Sequence, residues 1–131
     1  MISRAGNLLL IATLYHLLSG ALFFLVPSTV LRAFNIAPEL YLYSFHVLMF
    51  RLLGVFNLTV GLGAYFVARR SVQNIDLARL LLLAKIGSAL AFLYYAARGE
   101  LVAFMLIVTF VNDLLWIPLL AWFARQGKAI G

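Results

Sequence analysis

Four apolar runs, each long enough to cross a bilayer, constrain the fold of this chain more than any other feature. They cover about residues 7–26, 47–68, 77–97 and 101–124. A membrane-spanning helix needs about 20 mostly apolar residues, so the 131-residue chain has room for four spans and short connections. We therefore predict an all-α integral membrane protein: a single domain whose four transmembrane helices form an up-down-up-down bundle.

The composition favours a bilayer over water as the solvent of this chain. Hydrophobic residues make up 66% of it and charged residues 11%, whereas a soluble domain has about 25% charged residues. The absence of cysteine excludes disulfides, thiolate metal sites and thiol redox chemistry. The net charge of +6 comes from basic residues scattered between the apolar runs. We interpret them as juxtamembrane charges and predict no nucleic-acid partner.

The distribution of lysine and arginine outside the spans and at their ends predicts the orientation. Six basic residues fall on one side, namely Arg4, Arg69, Arg70, Arg79, Arg125 and Lys128. Two fall on the other side, Arg32 and Arg98, each with an acidic residue nearby. The positive-inside rule then places both termini in the cytoplasm, and we expect the membrane to be a bacterial inner membrane.

The connections between the spans are short. The segment of about residues 28–45 is expected to lie at the membrane interface, beginning with a short helix after Pro27. Within it, Pro38 followed by Glu39 is typical of the start of a helix, which would continue into span two. Only Arg98 to Glu100 separates spans three and four, so these two spans are predicted to be antiparallel neighbours.

Four ionisable residues interrupt the apolar runs: His16, Arg51, Lys85 and Asp113. A charge at the bilayer centre costs about 2.5–3.5 kcal/mol even on the lenient insertion scale, so such residues face the bundle interior and find partners. Helical spacing gathers polar or small residues on one face of every span. These faces contain His16, Ser19, Gly20 and Phe23; Arg51, Gly54, Asn57, Leu58, Gly61 and Tyr65; Lys85, Ser88, Phe92 and Tyr95; and Thr109, Asn112, Asp113 and Trp116. We expect the four faces to meet in a polar seam, with the glycines allowing close approach of the helices.

Lys85 and Asp113 are the pair we expect to form, because their spans are predicted neighbours. The pair could fix the register of the two helices, or act directly in ligand binding or proton handling. Arg51 could anchor at the headgroups or join the site. If Arg51, Lys85 and Asp113 are all ionised there, the surplus positive charge would call for a bound anion such as a lipid phosphate or a carboxylate; the alternative is a neutral Lys85. Pro118 lacks the N–H that would bond Leu114, so we predict a kink one turn beyond Asp113.

The remaining polar residues have structural as well as functional interpretations. His16 is expected to be a neutral side chain hydrogen-bonded to another helix, with assistance to catalysis as the alternative. Its only histidine companion, His46, lies in another segment, so no histidine pair with metal-binding spacing exists and no metal site is predicted. Asn57 and Asn112 are expected to be interhelical hydrogen-bond donors.

Three segments give the chain a resemblance to a known group. They are FRLLGVFNLTVGLGAYFVARR (Phe50 to Arg70), AKIGSALAFLYYAARGE (Ala84 to Glu100) and VNDLLWIPLLAWF (Val111 to Phe123). With the four-span layout, they resemble the DoxX-like small four-helix bacterial membrane proteins. The resemblance implies a four-helix bundle with inward polar residues. Some members of that group associate with quinone-linked oxidoreductases, so it also implies a possible membrane-protein partner.

These observations lead to one preferred function and three alternatives. We predict that the seam binds an amphiphilic or lipid-like molecule, such as a quinone, an isoprenoid or a lipid, and that the protein serves as an accessory subunit or forms a homo-oligomer. The predicted ligand-binding residues are Arg51, Asn57, Lys85, Ser88, Tyr95, Asn112, Asp113 and Trp116. No cofactor is identified. The alternatives are a membrane-embedded enzyme with Asp113 as acid or base and His16 assisting, a small transporter or proton pathway, and a structural subunit that docks through Gly54 and Gly61.

Overall fold

The chain folds into helices throughout the part that is described. The computed structural model of this protein describes residues 4–33, 44–70, 72–99 and 103–125, and these ranges contain no strand. The helices are α1 (Arg4–Leu25), α2 (Pro27–Ala33), α3 (Ser44–Arg69), α4 (Ile75–Ala97), α5 (Ala103–Thr109) and α6 (Ile117–Arg125), with a π-helical turn at Phe110–Leu114 between α5 and α6. The predicted all-α class is therefore confirmed.

Four helical stretches are long and apolar enough to cross a membrane. They are Ala5–Leu25, Val47–Arg69, Ile75–Ala97 and Leu106–Arg125. Their ends agree closely with the predicted spans, apart from the predicted start of span four at residue 101, which lies outside the described residues. The four-span prediction is confirmed, whereas the up-down order stays a prediction.

The outward faces of these helices are apolar. Leu14, Leu83 and Ile107 are 59%, 67% and 62% exposed, and many other large apolar side chains are exposed with them. A soluble monomer rarely exposes apolar patches larger than a few hundred Å². Lipid tails are as apolar as these side chains, so a bilayer is the solvent that makes such a surface stable.

The described residues group into two compact units by their internal contacts. Unit 1 consists of Met1–Ala12 with Gly63–Gly131, and unit 2 is Thr13–Leu62. The prediction of a single domain is not tested by this grouping and stays a prediction, as does the meeting of all four polar faces in one seam.

In unit 2, the later part of α1 packs closely against α3. A Cβ atom added to Gly20 would lie 2.8 Å from the carbonyl oxygen of Gly54, and one added to Gly54 would lie 2.6 Å from the backbone nitrogen of Phe24. Such distances are possible only without side chains, so the predicted role of the glycines in close helix approach is confirmed. A Cβ on Gly61 would likewise meet the side chain of Leu17 at 3.0 Å. Because α1 covers Gly54 and Gly61, these glycines are not open to a partner protein, whereas the structural-subunit hypothesis itself stays a prediction.

In unit 1, α4 packs against α5, the π-helical turn and α6. The buried residues of α4 are Ala78, Leu81, Lys85 and Ala89, which recur every three or four positions and form one stripe. Beyond α4, Gly99 has a φ of 70° and its N–H donates to the carbonyl of Ala96 at 3.0 Å. Spans three and four are therefore neighbours, as the short connection predicted.

The connection after span one is described only in part. The short helix predicted after Pro27 is present as α2. The predicted helix start at Pro38 and Glu39 lies outside the described residues, and so does Lys128.

Candidate functional site

A fully buried ion pair joins spans three and four. Lys85 Nζ donates to Asp113 Oδ1 at 2.9 Å, and both side chains have 0% exposure. The stripe on α4 carries Lys85 inward, because this residue lies four positions from both Leu81 and Ala89. Removing either partner would leave an uncompensated buried charge. The predicted pairing of Lys85 with Asp113 is confirmed.

The carboxylate of Asp113 has further donors. Ser88 Oγ donates to Asp113 Oδ2 at 2.9 Å, and Asn112 Nδ2 donates to Asp113 Oδ1 at 3.3 Å. Both carboxylate oxygens therefore accept hydrogen bonds from protein side chains, three bonds in total with that of Lys85. Such a set meets the need of a buried carboxylate for hydrogen-bond donors. The arrangement favours the interpretation in which Asp113 holds the helices in register over one in which it exchanges protons with a substrate.

The backbone around Asp113 departs from the α-helix. The N–H of Leu115 donates to the carbonyl of Phe110 at 3.0 Å, five residues back, and the N–H of Trp116 donates to the carbonyl of Asp113 at 3.2 Å, three residues back. In a regular α-helix, the N–H of Trp116 would bond the carbonyl of Asn112. That carbonyl instead accepts from Lys85 Nζ at 2.6 Å. Lys85 therefore takes the place of a backbone donor. The same ammonium group forms the ion pair with Asp113, so the ion pair and the helix break share this lysine.

Pro118 accounts for the other end of this break. A proline cannot donate to the carbonyl four residues earlier, and its ring crowds that carbonyl. The α-helix resumes only with α6, whose second residue is Pro118. The predicted disruption of span four is present, and it includes the turn at Leu115 and Trp116 before Pro118 but extends further back along the chain than predicted. The break begins at Phe110 and includes Asp113, because the carbonyl of Asn112 is bonded to Lys85.

A second set of buried polar residues lies in unit 2. His16 and Asn57 are each 1% exposed, and Asn57 Nδ2 donates to Ser19 Oγ at 3.3 Å. Ser19 Oγ in turn donates to the carbonyl of His16 at 3.4 Å. Asn57 is thus an interhelical donor, as predicted. The His16 ring meets the ring of Tyr15 edge-on, with 5.0 Å between their centroids.

Not every predicted site residue is buried. Arg51 is exposed, which favours its interpretation as a headgroup anchor. Tyr95 is 49% exposed beside Tyr94, near the end of α4, where an aromatic belt is expected. Trp116 is partly buried. Of the predicted ligand-binding residues, unit 1 therefore brings together Lys85, Ser88, Asn112 and Asp113.

An apolar groove next to the break was not predicted from the sequence. Its volume is about 500 Å³. It is lined by Ala5, Leu8, Leu115, Trp116, Pro118, Leu119 and Trp122. The signal available in the sequence was the spacing of Trp116, Leu119 and Trp122, which places these three residues on one helical face. Nothing local indicated that the start of α1 would form the opposite wall.

The described side chains offer no metal site, since no three His, Asp or Glu residues among them lie close enough to hold an ion. Comparison of the chain with models of known families, with curated proteins and with solved structures found no match. The fold and the site therefore define the class of protein by themselves: an all-α protein with four membrane-spanning helices and a buried ion pair at a helix break.

Proposed function

We propose that this protein binds an amphiphilic or lipid-like molecule inside the membrane, with the apolar chain of that molecule in the groove between the start of α1 and α6. The groove carries the proposal. Its volume of about 500 Å³ lies within the 300–1,000 Å³ typical of ligand sites. Its lining is mostly aliphatic, with Trp116 and Trp122 providing large rigid contact surfaces.

An arginine one helical turn beyond the groove lining suits a headgroup. Arg125 lies one turn after Trp122 and is exposed, so the two residues share a helical face. Arg125 ends the fourth candidate span, where headgroups would begin. An amphiphile with an acidic or polar head could therefore place its chain against Trp116 and Leu119 and its head beside Arg125.

In this proposal the buried ion pair supports the site and does not contact the ligand. Lys85 and Asp113 bond each other and have no exposed side-chain surface. Leu115 and Trp116 lie two and three residues after Asp113 in the chain and line the groove. The ion pair therefore positions one wall of the groove. Acid–base catalysis by Asp113 would require contact with a substrate, whereas three protein donors surround this carboxylate.

We infer that the protein resides in a bacterial inner membrane with both termini in the cytoplasm. The arginines at the membrane ends of the spans support this orientation, since Arg69, Arg70 and Arg125 lie at one predicted side and Arg98 at the other. A DoxX-like relationship, proposed from the resemblance of three segments, would add quinones and a membrane-protein partner to the candidates.

Native mass spectrometry of gently extracted protein tests the ligand proposal. Wild-type protein should retain a lipid-like adduct. Ala5→Phe should lose it, because the larger side chain would occupy the groove. Ala91→Phe is the matched control, since the same change is made at an exposed position of a span outside the groove.

Two results would contradict the proposal. One is wild-type protein that is consistently free of adducts. The other is equal retention of the adduct by Ala5→Phe and Ala91→Phe, with far-ultraviolet circular dichroism showing that both variants are folded.

A further inference from the structure

The turn between α3 and α4 forms a basic concave surface, which we call the α3–α4 turn site. An open hollow of about 340 Å³ is lined by Arg69, Arg70, Val72 and Gln73. A second hollow of about 240 Å³ shares Val72 and Gln73 with the first and is completed by Ile75, Asp76 and Arg79. The two hollows therefore form one continuous surface at the end of the second candidate span.

The charges of this surface are only partly balanced. Arg79 Nη1 lies 2.9 Å from Asp76 Oδ1, so these two residues form an ion pair. Within the described ranges, Arg69 and Arg70 form no ion pair with an acidic residue. The Arg69 guanidinium lies 6.0 Å from the centre of the Tyr65 ring, a contact that leaves its charge available. Three arginines against one aspartate leave a surplus of two positive charges at the turn.

Hydrogen bonds of Asn74 connect the residue before α4 to the end of α3. Asn74 Nδ2 donates to the carbonyls of Phe66 and Arg70 at 3.1 and 3.0 Å, and its N–H donates to the carbonyl of Arg70 at 3.1 Å. Its side chain thus closes the end of α3 and makes no capping bond to α4. The positive end of the α4 dipole lies at the same turn and is partly offset by Asp76 in the first turn of that helix.

We propose that the α3–α4 turn site binds the phosphate group of an anionic phospholipid. Arginine guanidinium groups match phosphate oxygens through paired hydrogen bonds, so Arg69 and Arg70 suit this ligand. The neighbouring Phe66 and Val72 are 54% and 57% exposed, which gives the acyl chains an apolar surface beside the charges. Free inorganic phosphate is also an anion, but it has no acyl chains that could contact Phe66 and Val72. The site uses none of the residues that line the apolar groove, so it does not rest on the proposed function.

Lipid titration followed by native mass spectrometry tests this site. Protein in neutral detergent is titrated with phosphatidylglycerol, with phosphatidylcholine and with inorganic phosphate, and the affinity for the first bound molecule is measured. Wild-type protein should prefer phosphatidylglycerol to the other two ligands. A basic residue near a membrane contributes about 1 kcal/mol to the binding of anionic lipid, so Arg70→Gln should weaken that affinity about fivefold.

Arg98→Gln is the matched control. It removes one exposed arginine from the opposite end of α4, where Arg98 Nη1 donates to the Tyr94 hydroxyl at 3.1 Å. We expect this variant to change the affinity less than twofold, and we expect Arg70→Lys to weaken binding less than Arg70→Gln, because lysine keeps the charge and loses only the paired hydrogen bonds. Equal weakening by Arg70→Gln and Arg98→Gln would overturn the site. Equal binding of phosphatidylcholine would overturn the requirement for an anionic lipid, and equal binding of inorganic phosphate would overturn its assignment to a lipid.

Discussion

At the scale of single residues, Lys85 shows how a charge becomes tolerable at membrane depth. Its ammonium group bonds the Asp113 carboxylate at 2.9 Å and the Asn112 carbonyl at 2.6 Å. The second bond matters as well, because in a regular α-helix the Asn112 carbonyl would accept from the N–H of Trp116, which here donates to the carbonyl of Asp113. The Lys85 side chain thus pairs with the Asp113 carboxylate and also donates a hydrogen bond to the backbone carbonyl of Asn112.

We predict that Lys85→Met strongly destabilises the protein. The change leaves Asp113 buried without its cation and the Asn112 carbonyl without this donor, and breaking a buried pair costs about 3–5 kcal/mol. Denaturant unfolding in detergent micelles measures the effect. Arg79→Gln is the control, because it breaks an exposed pair, and exposed pairs contribute about 0–1 kcal/mol.

A double variant separates the effect of the buried charges on stability from the effect of side-chain packing. Lys85→Met combined with Asp113→Leu removes both charges, so it should be more stable than the sum of the two single changes implies. Simple additivity of the two changes would contradict the energetic coupling of this pair.

At the scale of helices, unit 2 depends on close backbone approach. A Cβ on Gly54 would lie 2.6 Å from the Phe24 nitrogen and 2.7 Å from the Gly20 carbonyl oxygen. Backbone atoms cannot rotate away as a flexible side chain can, so the two helices would have to separate. Because lipid already surrounds the outer surface, packing at such contacts is a main source of association between helices in a membrane.

We predict that Gly54→Ala destabilises unit 2 by about 1–3 kcal/mol, the usual cost of overpacking. Gly87→Ala is the matched control: Gly87 also lies inside a long helix, but a Cβ there would meet no atom within 4 Å. Alanine favours helix by about 1 kcal/mol over glycine, so the control should be neutral or slightly more stable. Thermal unfolding of the two variants in one detergent compares them. Equal melting temperatures would show that the close approach does not limit stability.

At the scale of the whole molecule, the distribution of charge predicts the orientation. The α3–α4 turn carries Arg69, Arg70 and Arg79, whereas the turn after α4 carries Arg98. The positive-inside rule assigns the first turn to the cytoplasm. The same asymmetry underlies the proposed lipid site, since anionic headgroups would collect where the arginines are.

We predict that the two turns lie on opposite sides of the membrane. The chain has no cysteine, so single cysteines can be introduced and labelled without background. Gln73→Cys and Ala97→Cys are suitable because both positions are exposed. In intact cells, a membrane-impermeant maleimide should label Ala97→Cys, and Gln73→Cys should react only after permeabilisation. The reverse pattern would refute the inferred orientation, and labelling of both in intact cells would refute the opposite placement of the turns.

The sequence by itself determined the number of spans and all their ends except the start of span four, because hydrocarbon leaves no alternative to about 20 apolar residues in a helix. It also determined that Lys85 would meet Asp113, since a three-residue connection and helical spacing bring the two residues together. These are properties of local composition and of neighbours in sequence, and elementary rules suffice for them.

Only the tertiary structure decided the geometry of the break and the groove. The π-helical turn depends on the bond from Lys85 to the Asn112 carbonyl, which no pattern within span four indicates. The groove needs Ala5 and Leu8 opposite Trp116 and Trp122, residues more than 100 positions apart. Whether Arg51 and Tyr95 are buried was decided in the same way, because helical phase gives the side of a helix on which a residue lies and not what covers that side. Packing between distant segments sets these features, and it is not encoded in any single segment.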